Sequence, residues 1–224
     1  MLIPTRHEFW AQETARLLHR MEEAGVKVVV LDRGKGYRRW WETVAFRVAR
    51  VFNRDVETRY AAVIYDGTEA RVYLPSGQEA DTNSLDHHIL MRHECVHIMQ
   101  ALRICKGRLG AFLFSLAYLF CLPALWTMRA KWETEAYLES ARVLVQAGVS
   151  QGVLRQQCNN WEWEFRSAAY FFMDPFRRGG FGPDGVNRWL TVNRKIPSDS
   201  PLQSVGFFPR SPREHIGPRA KETS

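Results

Sequence analysis

Paired cysteines and an apolar N-terminal segment are both missing from this sequence. Its four cysteines form no CxxC pair and stand in apolar or helical-looking segments: Cys95, Cys105, Cys121 and Cys158. This arrangement excludes a disulfide framework and favours reduced, packed thiols. Residues 1–10 are too short and too polar for the apolar core of a secretory signal, and acidic Glu8 lies among them. We therefore expect a cytoplasmic protein.

Internal repeats and stripes of basic residues are also missing. The 224 residues carry 31 lysines and arginines against 24 acidic residues, but the basic residues are scattered and form no recognised nucleic-acid motif. Nucleic acid is therefore not an expected partner, and the net charge of +7 is attributed to solubility. We expect a single domain over residues 1–196. Proline, serine and charge dominate afterwards, which predicts a largely disordered basic tail over 197–224.

The order of the predicted elements favours an α+β fold. Two strand-like runs, 60–65 and 70–74, flank Asp66-Gly67, a strong hairpin signal. A valine-rich strand is expected at 26–31, and the RRWW segment at 38–41 is expected in a loop. Apolar spacing and helix-ending glycines predict helices over five segments: 5–25, 43–52, about 81–105, 129–147 and 153–173.

The segment HECVH at residues 93–97 fits the HExxH motif. Two histidines four residues apart lie on one face of a helix, so the imidazoles of His93 and His97 can bind one zinc ion. Glu94 points toward the open coordination position, where it can take a proton from water and pass it to a leaving group. The alternative without a metal is a buried histidine pair that is satisfied by hydrogen bonds.

Zinc needs a third protein ligand, and two carboxylates stand downstream at Glu133 and Glu135. Residues two apart point to nearly opposite sides of a helix, so at most one of them faces the metal. Glu133 shares its face with Ala136 and Tyr137, and the small Ala136 allows close packing against the histidine helix. We therefore prefer Glu133, with Glu135 as the alternative ligand. A solvated, charged helix face is the alternative without a metal.

These two motifs together resemble the gluzincin branch of the zinc metallopeptidases. HECVHIMQ at 93–100, followed by ETEA at 133–136, is similar to small bacterial and phage-borne zincin domains, and the similarity covers about residues 60–148. The resemblance implies Zn²⁺ as cofactor, a general base and three ligands: Glu94 as the base, and His93, His97 and Glu133 as the ligands.

Two further expectations come from the resemblance. Many gluzincins have an aspartate four residues after the ligand glutamate, where it orients a histidine. This chain has Tyr137 there, whose hydroxyl can orient a histidine or help to hold an oxyanion. The resemblance also implies that the strand before the histidine helix, residues 70–74, is the sheet edge on which an extended peptide lies.

Residues 109–128 contain no charge and are long enough to suggest a membrane span. A single straight crossing would separate His97 from Glu133 by roughly 30 Å, so the proposed site requires this stretch to double back. Gly110 and Pro123 favour a bend. Three alternatives stay open: a buried helix and bend within the domain, a hairpin that dips into a membrane surface, and a true span.

The whole sequence therefore predicts an α+β zincin-like domain with a small sheet, an active-site helix and a helical C-terminal half. The expected activity is hydrolysis of peptide bonds in a peptide or protein substrate by metal-activated water, with Glu94 as general base. The alternative is a non-catalytic zincin-like module that binds a protein partner or a membrane surface.

Overall fold

The computed structural model describes residues 6–52, 61–75, 83–104, 107, 109–110, 113–114, 126–166 and 200–207. The N-terminal half contains two helices and three strands: α1 (Arg6–Glu23), β1 (Lys27–Asp32), α2 (Trp40–Phe52), β2 (Ala62–Tyr65) and β3 (Glu69–Leu74). The C-terminal half is helical: α3 (Leu85–Ile104), α4 (Trp126–Gln146), α5 (Gln151–Arg166) and a 3₁₀ helix (Pro201–Val205). A helix-rich chain with one small mixed sheet is consistent with the α+β class.

The predicted hairpin joins β2 to β3 in antiparallel register, with Tyr65 opposite Ala70. Asp66 holds the turn, because its Oδ1 accepts hydrogen bonds from the backbone N–H groups of Thr68 (3.2 Å) and Glu69 (3.0 Å). Gly67 has a φ of 94°, a left-handed conformation that favours glycine. The Asp-Gly signal in the sequence is therefore confirmed as a turn.

The strand that precedes the histidine helix is the central strand of the sheet. The strand order is β1-β3-β2, and β1 pairs with β3 in parallel through a register that aligns Val29 with Arg71. The expectation that residues 70–74 form the sheet edge is therefore wrong. The reason is that the chain passes from β1 through α2 to β2, so the β2–β3 hairpin places β3 beside β1 and leaves β1 and β2 as the outer strands of the described sheet.

The sheet separates two layers of helix. On one face, Ile64 and Tyr73 pack against Phe46 of α2. Alternate residues of the same strands face the other way, where Ala70 joins the core that α1 and α3 form with residues such as Val96. The main core therefore lies between the sheet and α3, the helix that carries the HExxH motif.

Helix α2 begins at Trp40, so the prediction of a loop over 38–41 is wrong for its last two residues. Glu42 explains the early start, because its Oε2 accepts a hydrogen bond from the backbone N–H of Arg39 at 3.0 Å. A glutamate that reaches back in this way satisfies an N–H at the helix N-terminus, and it acts in the same direction as the helix dipole.

Buried charges fasten α3 to α4. The guanidinium of Arg92 is fully buried and donates from Nε to Glu139 Oε1 (2.8 Å) and from Nη1 to Gln146 Oε1 (2.7 Å). Arg142 donates to the other oxygen of Glu139 at 2.6 Å. Removing one partner of a buried pair leaves an uncompensated charge, so the network strongly favours one alignment of the two helices.

Part of the tail is folded onto α1 and α3. Residues 200–207 form a short 3₁₀ helix and a turn, and the side chains of Leu202 and Phe207 are 0% exposed. The Phe207 ring lies between the guanidinium carbons of Arg16 (5.0 Å) and Arg92 (5.4 Å). This segment departs from the expected disorder, because its two apolar side chains are buried in the main core. Residues 208–224 lie outside the described residues.

The uncharged stretch 109–128 lies largely outside the described residues, but its ends are informative. Helices α3 and α4 pack side by side, and Arg103 near the end of α3 donates a hydrogen bond to Glu135 of α4. Phe114 is buried, and its ring centroid lies 4.7 Å from that of Trp132. None of the helices within the described part of the chain is both long and apolar enough to cross a bilayer.

Candidate metal centre

The two motif histidines meet at their Nε2 atoms on one face of α3. His93 Nε2 lies 3.2 Å from His97 Nε2, and the two rings are nearly perpendicular at 79°. His97 is buried with 4% of its side chain exposed, whereas His93 has 13% exposed. Solvent therefore reaches the pair from the His93 side.

Glu133 of α4 completes a three-residue cluster with these histidines. Its Oε2 lies 3.5 Å from His93 Nε2 and 3.6 Å from His97 Nε2, and the residue is 3% exposed. Ala136, one turn further along α4, is fully buried. Its small side chain is what allows the two helices to approach closely enough for a glutamate to reach the histidines.

The spacing of the three ligand atoms fits a tetrahedral cation. Ligands at about 2.0–2.2 Å from a tetrahedral zinc ion lie about 3.3–3.6 Å from one another. The distances of 3.2, 3.5 and 3.6 Å fall at or close to this range without any movement of the side chains. Two imidazoles and one carboxylate are a donor set that suits zinc, and also iron(II), with positions left open for water or substrate.

Gln100 holds His97 in the orientation that a metal ligand needs. Its Oε1 lies 2.9 Å from His97 Nδ1, and its own amide group donates to the backbone carbonyl of Trp132 at 2.8 Å. The amide can only accept at Oε1, so Nδ1 carries the proton and Nε2 keeps its lone pair for a cation. Such partners of ligand histidines raise their basicity and limit their rotation.

Ser140 plays the corresponding part for His93. Its hydroxyl donates to the carbonyl of Ala136 at 3.2 Å and lies 3.3 Å from His93 Nδ1. Because the hydroxyl proton is already used, the oxygen accepts from Nδ1, and Nε2 again faces the cluster. Both imidazoles are therefore in the tautomer that presents a lone pair to the same point.

The electrostatics of the cluster favour a bound cation. Burial alone raises the pKa of Glu133, but the charges of His97 and His93 and their hydrogen bonds hold it well below its usual range. Burial likewise lowers the pKa of His97, and the Glu133 carboxylate reverses this, so that the pKa is raised. Without a metal, a proton on an imidazole compensates the buried carboxylate, and a divalent cation can replace that proton.

Glu94 lies beside the cluster and is 6% exposed. Burial raises the pKa of its carboxyl, and the nearby Glu133 charge adds to this, while the charges of His93, His97 and Arg33 oppose it. A carboxyl with a raised pKa is a better proton acceptor near neutral pH than an ordinary glutamate.

The alternative ligand, Glu135, points away from the cluster. Its Oε2 accepts hydrogen bonds from Gln100 (3.0 Å) and Arg103 (2.8 Å), and 26% of its side chain is exposed. Among the described residues, the group able to hold a metal consists of His93, His97 and Glu133. The structure therefore brings the preferred ligand, and not the alternative, to the histidines.

Tyr137 contacts the site through its ring. The ring centroid lies 5.0 Å from that of His93 at 72°, an edge-to-face contact, and 5.0 Å from that of Trp161. The atom that lies against His93 Nδ1 is the hydroxyl of Ser140, so the expected orienting role falls to a different residue. A role for the Tyr137 hydroxyl at an oxyanion stays a prediction.

The two cysteines that the structure describes are buried thiols, as expected. Cys95 and Cys158 are free and buried, and burial raises the pKa of Cys158 to about 11. Cys105 and Cys121 lie outside the described residues.

Sequence reasoning assigned no role to three residues at this site: Gln100, which stands in the quoted motif, Ser140 and Arg33. The helix positions of Gln100 and Ser140 were available signals, because Gln100 stands one turn after His97 and Ser140 two turns after Glu133. Arg33 had no such signal. It follows β1 and is 5% exposed, and its neighbours come from distant segments.

Comparisons of the chain with protein-family models, with curated proteins and with solved structures found no match. A function must therefore be argued from the geometry of the cluster itself.

Proposed function

We propose that this chain is a zinc-dependent peptidase with a zincin-like site. The proposal is carried by one observation: His93, His97 and Glu133 converge with the spacing of three zinc ligands, and Glu94 lies beside them. The order of these residues along two packed helices is also the order that the resemblance to gluzincins implies.

Each residue has a defined task in this proposal. His93, His97 and Glu133 hold the cation, and Gln100 and Ser140 keep the two imidazoles in the required tautomer. Bound zinc supplies Lewis acidity, which lowers the pKa of water and polarises a carbonyl. Glu94 accepts the proton of the attacking water and delivers it to the amine that leaves.

The sheet limits where an extended substrate can pair with this fold. Strand β3 uses both of its edges, with β1 on one side and β2 on the other. A peptide that adds to the sheet must therefore use an outer strand. Strand β2 packs against α3, so a peptide on its outer edge would run beside the helix that carries His93 and His97.

The test is the Glu94→Gln variant of the full chain, purified and loaded with zinc. The variant is expected to keep stoichiometric zinc and to lose at least about a hundredfold in hydrolysis of a quenched fluorescent peptide library, because it has lost only the proton acceptor. Glu22→Gln makes the same chemical change at an exposed position of α1 and should hydrolyse like wild type.

Three results would contradict the proposal. Undiminished hydrolysis by Glu94→Gln would remove the proposed mechanism. Stoichiometric zinc without hydrolysis of any peptide by wild type would favour the non-catalytic binding module, whereas a purified protein that binds iron(II) in preference to zinc would assign the donor set to a different chemistry.

A further inference from the structure

Helix α2 carries an apolar stripe on its outer face. Trp40, Val44 and Val48 stand at intervals of four residues, and they are 80%, 50% and 41% exposed. Residues at this interval lie one above another on a helix surface, so the three side chains form one continuous row. We call this row the α2 stripe. Single exposed apolar residues are ordinary, but an aligned set that begins with a tryptophan marks an interaction surface.

The exposed charge on the described part of α2 is of one sign. The acidic residue of α2, Glu42, is fully buried, where its Oε1 accepts from Arg71 Nε at 2.5 Å and its Oε2 from the Tyr73 hydroxyl at 2.5 Å. The exposed charged residues of the helix are Arg47 and Arg50. Arg47 stands one turn after Val44, directly beside the stripe. The outer face of α2 therefore combines apolar and cationic groups without an exposed carboxylate.

The α2 stripe cannot become buried by rotation of the helix, because the opposite face of α2 packs against the sheet. Phe46 is fully buried and stacks on Tyr37 at 4.6 Å between ring centroids. The buried pair between Glu42 and Arg71 joins the helix to the central strand. Rotation of α2 would expose these groups and break a buried ion pair.

We propose that the α2 stripe docks this protein on an anionic lipid bilayer. Tryptophan is enriched at the membrane–water interface, and a helix with an apolar face and flanking arginines lies in the interface plane. Each arginine near an anionic leaflet strengthens partitioning about fivefold, so Arg47 and Arg50 favour anionic over neutral lipid. A nucleic-acid surface would need basic groups where this helix has Trp40 and Val44.

The docked orientation leaves the metal centre in water. Helix α2 covers one face of the sheet, and α3, which carries His93 and His97, belongs to the layer on the other face. A bilayer against α2 is therefore separated from the cluster by the sheet.

The experiment is vesicle flotation of the full chain. Wild type should float with vesicles of phosphatidylcholine and phosphatidylserine, less with phosphatidylcholine alone, and less again as salt is added. Trp40→Ser should weaken partitioning on anionic vesicles at least about tenfold through lost apolar burial, and Arg47→Gln about fivefold through lost charge. Both side chains are exposed, so thermal unfolding should stay within the wild-type range.

Two matched controls come from α5, where Trp163 is 69% exposed and Arg155 is exposed. Trp163→Ser and Arg155→Gln should change partitioning by less than about twofold. The proposal is overturned by wild type that does not float, or by Trp40→Ser that floats like wild type. Non-floating wild type whose self-association, or whose binding of a labelled DNA duplex, is lost in Trp40→Ser would assign the stripe to those partners instead.

Discussion

Glu133 and Glu135 stand two residues apart on α4 and have opposite surroundings, which makes them a sharp test of the metal centre. Glu133 Oε2 lies 3.5 and 3.6 Å from the two histidine nitrogens and is buried. Glu135 is partly exposed and bonds Gln100 and Arg103. We predict that Glu133→Gln weakens zinc binding far more than Glu135→Gln does.

The magnitude follows from the number of ligands. Four-ligand zinc sites contribute about 10–16 kcal/mol of binding free energy, or about 2.5–4 kcal/mol per ligand. Loss of the Glu133 carboxylate should therefore weaken zinc binding about a hundredfold to a thousandfold, with the lower value expected because a glutamine oxygen remains. The glutamine of the Glu135→Gln variant keeps an oxygen that can accept from both partners of Glu135. That substitution should therefore weaken zinc binding by less than about tenfold, because a tenfold loss of metal affinity is the smallest that is typical of residues that orient a ligand.

The assay is competition for zinc between the protein and a chromophoric chelator at neutral pH, with metal content measured independently. Circular dichroism of the metal-free proteins checks that both variants are folded. Equal zinc affinity of Glu133→Gln and wild type would refute the assigned ligand. A larger loss in Glu135→Gln than in Glu133→Gln would refute the packing of α4 against α3 that places Glu133 at the site.

Three further predictions concern the surroundings of the site. Gln100→Leu should weaken zinc binding about 10–100-fold, because His97 loses the acceptor at Nδ1. Phe207→Ala should lower the free energy of unfolding by about 3 kcal/mol in chemical denaturation, because this buried ring packs between two guanidinium groups. Burial lowers the pKa of His88 to about 3, so the folded state stays neutral while the unfolded chain takes up a proton below about pH 6.5. The free energy of unfolding therefore falls by about 2 kcal/mol between pH 7 and pH 5 because of this histidine. Over the same pH range, the free energy of unfolding of the His88→Gln variant should fall by about 2 kcal/mol less than that of wild type.

Each of these has an outcome that would contradict it. Zinc affinity that is unchanged in Gln100→Leu would mean that His97 needs no orienting partner. An unfolding curve of Phe207→Ala that overlays wild type would mean that residues 200–207 do not stabilise the fold. Equal pH dependence of wild type and His88→Gln would mean that His88 takes up a proton in the folded state.

The sequence by itself determined the features that depend on neighbours along the chain. The spacing of His93 and His97 places both on one face of any helix, whatever packs against it. Asp66 and Gly67 form their turn with local hydrogen bonds and a backbone conformation that glycine favours. The preference for Glu133 over Glu135 rested on the helix face that Glu133 shares with Ala136, whereas in the structure both carboxylates contact α3, Glu133 at the histidines and Glu135 at Gln100 and Arg103.

Only the tertiary structure decided the features that depend on segments far apart in the chain. The position of β3 in the sheet follows from where β1 pairs, and the pattern within 70–74 is the same for a central and an edge strand of a covered sheet. Phe207 reaches Arg92 through a contact that no periodicity encodes. Local spacing sets which way a side chain faces on its own element, whereas the neighbour that it meets is decided by the packing of whole elements.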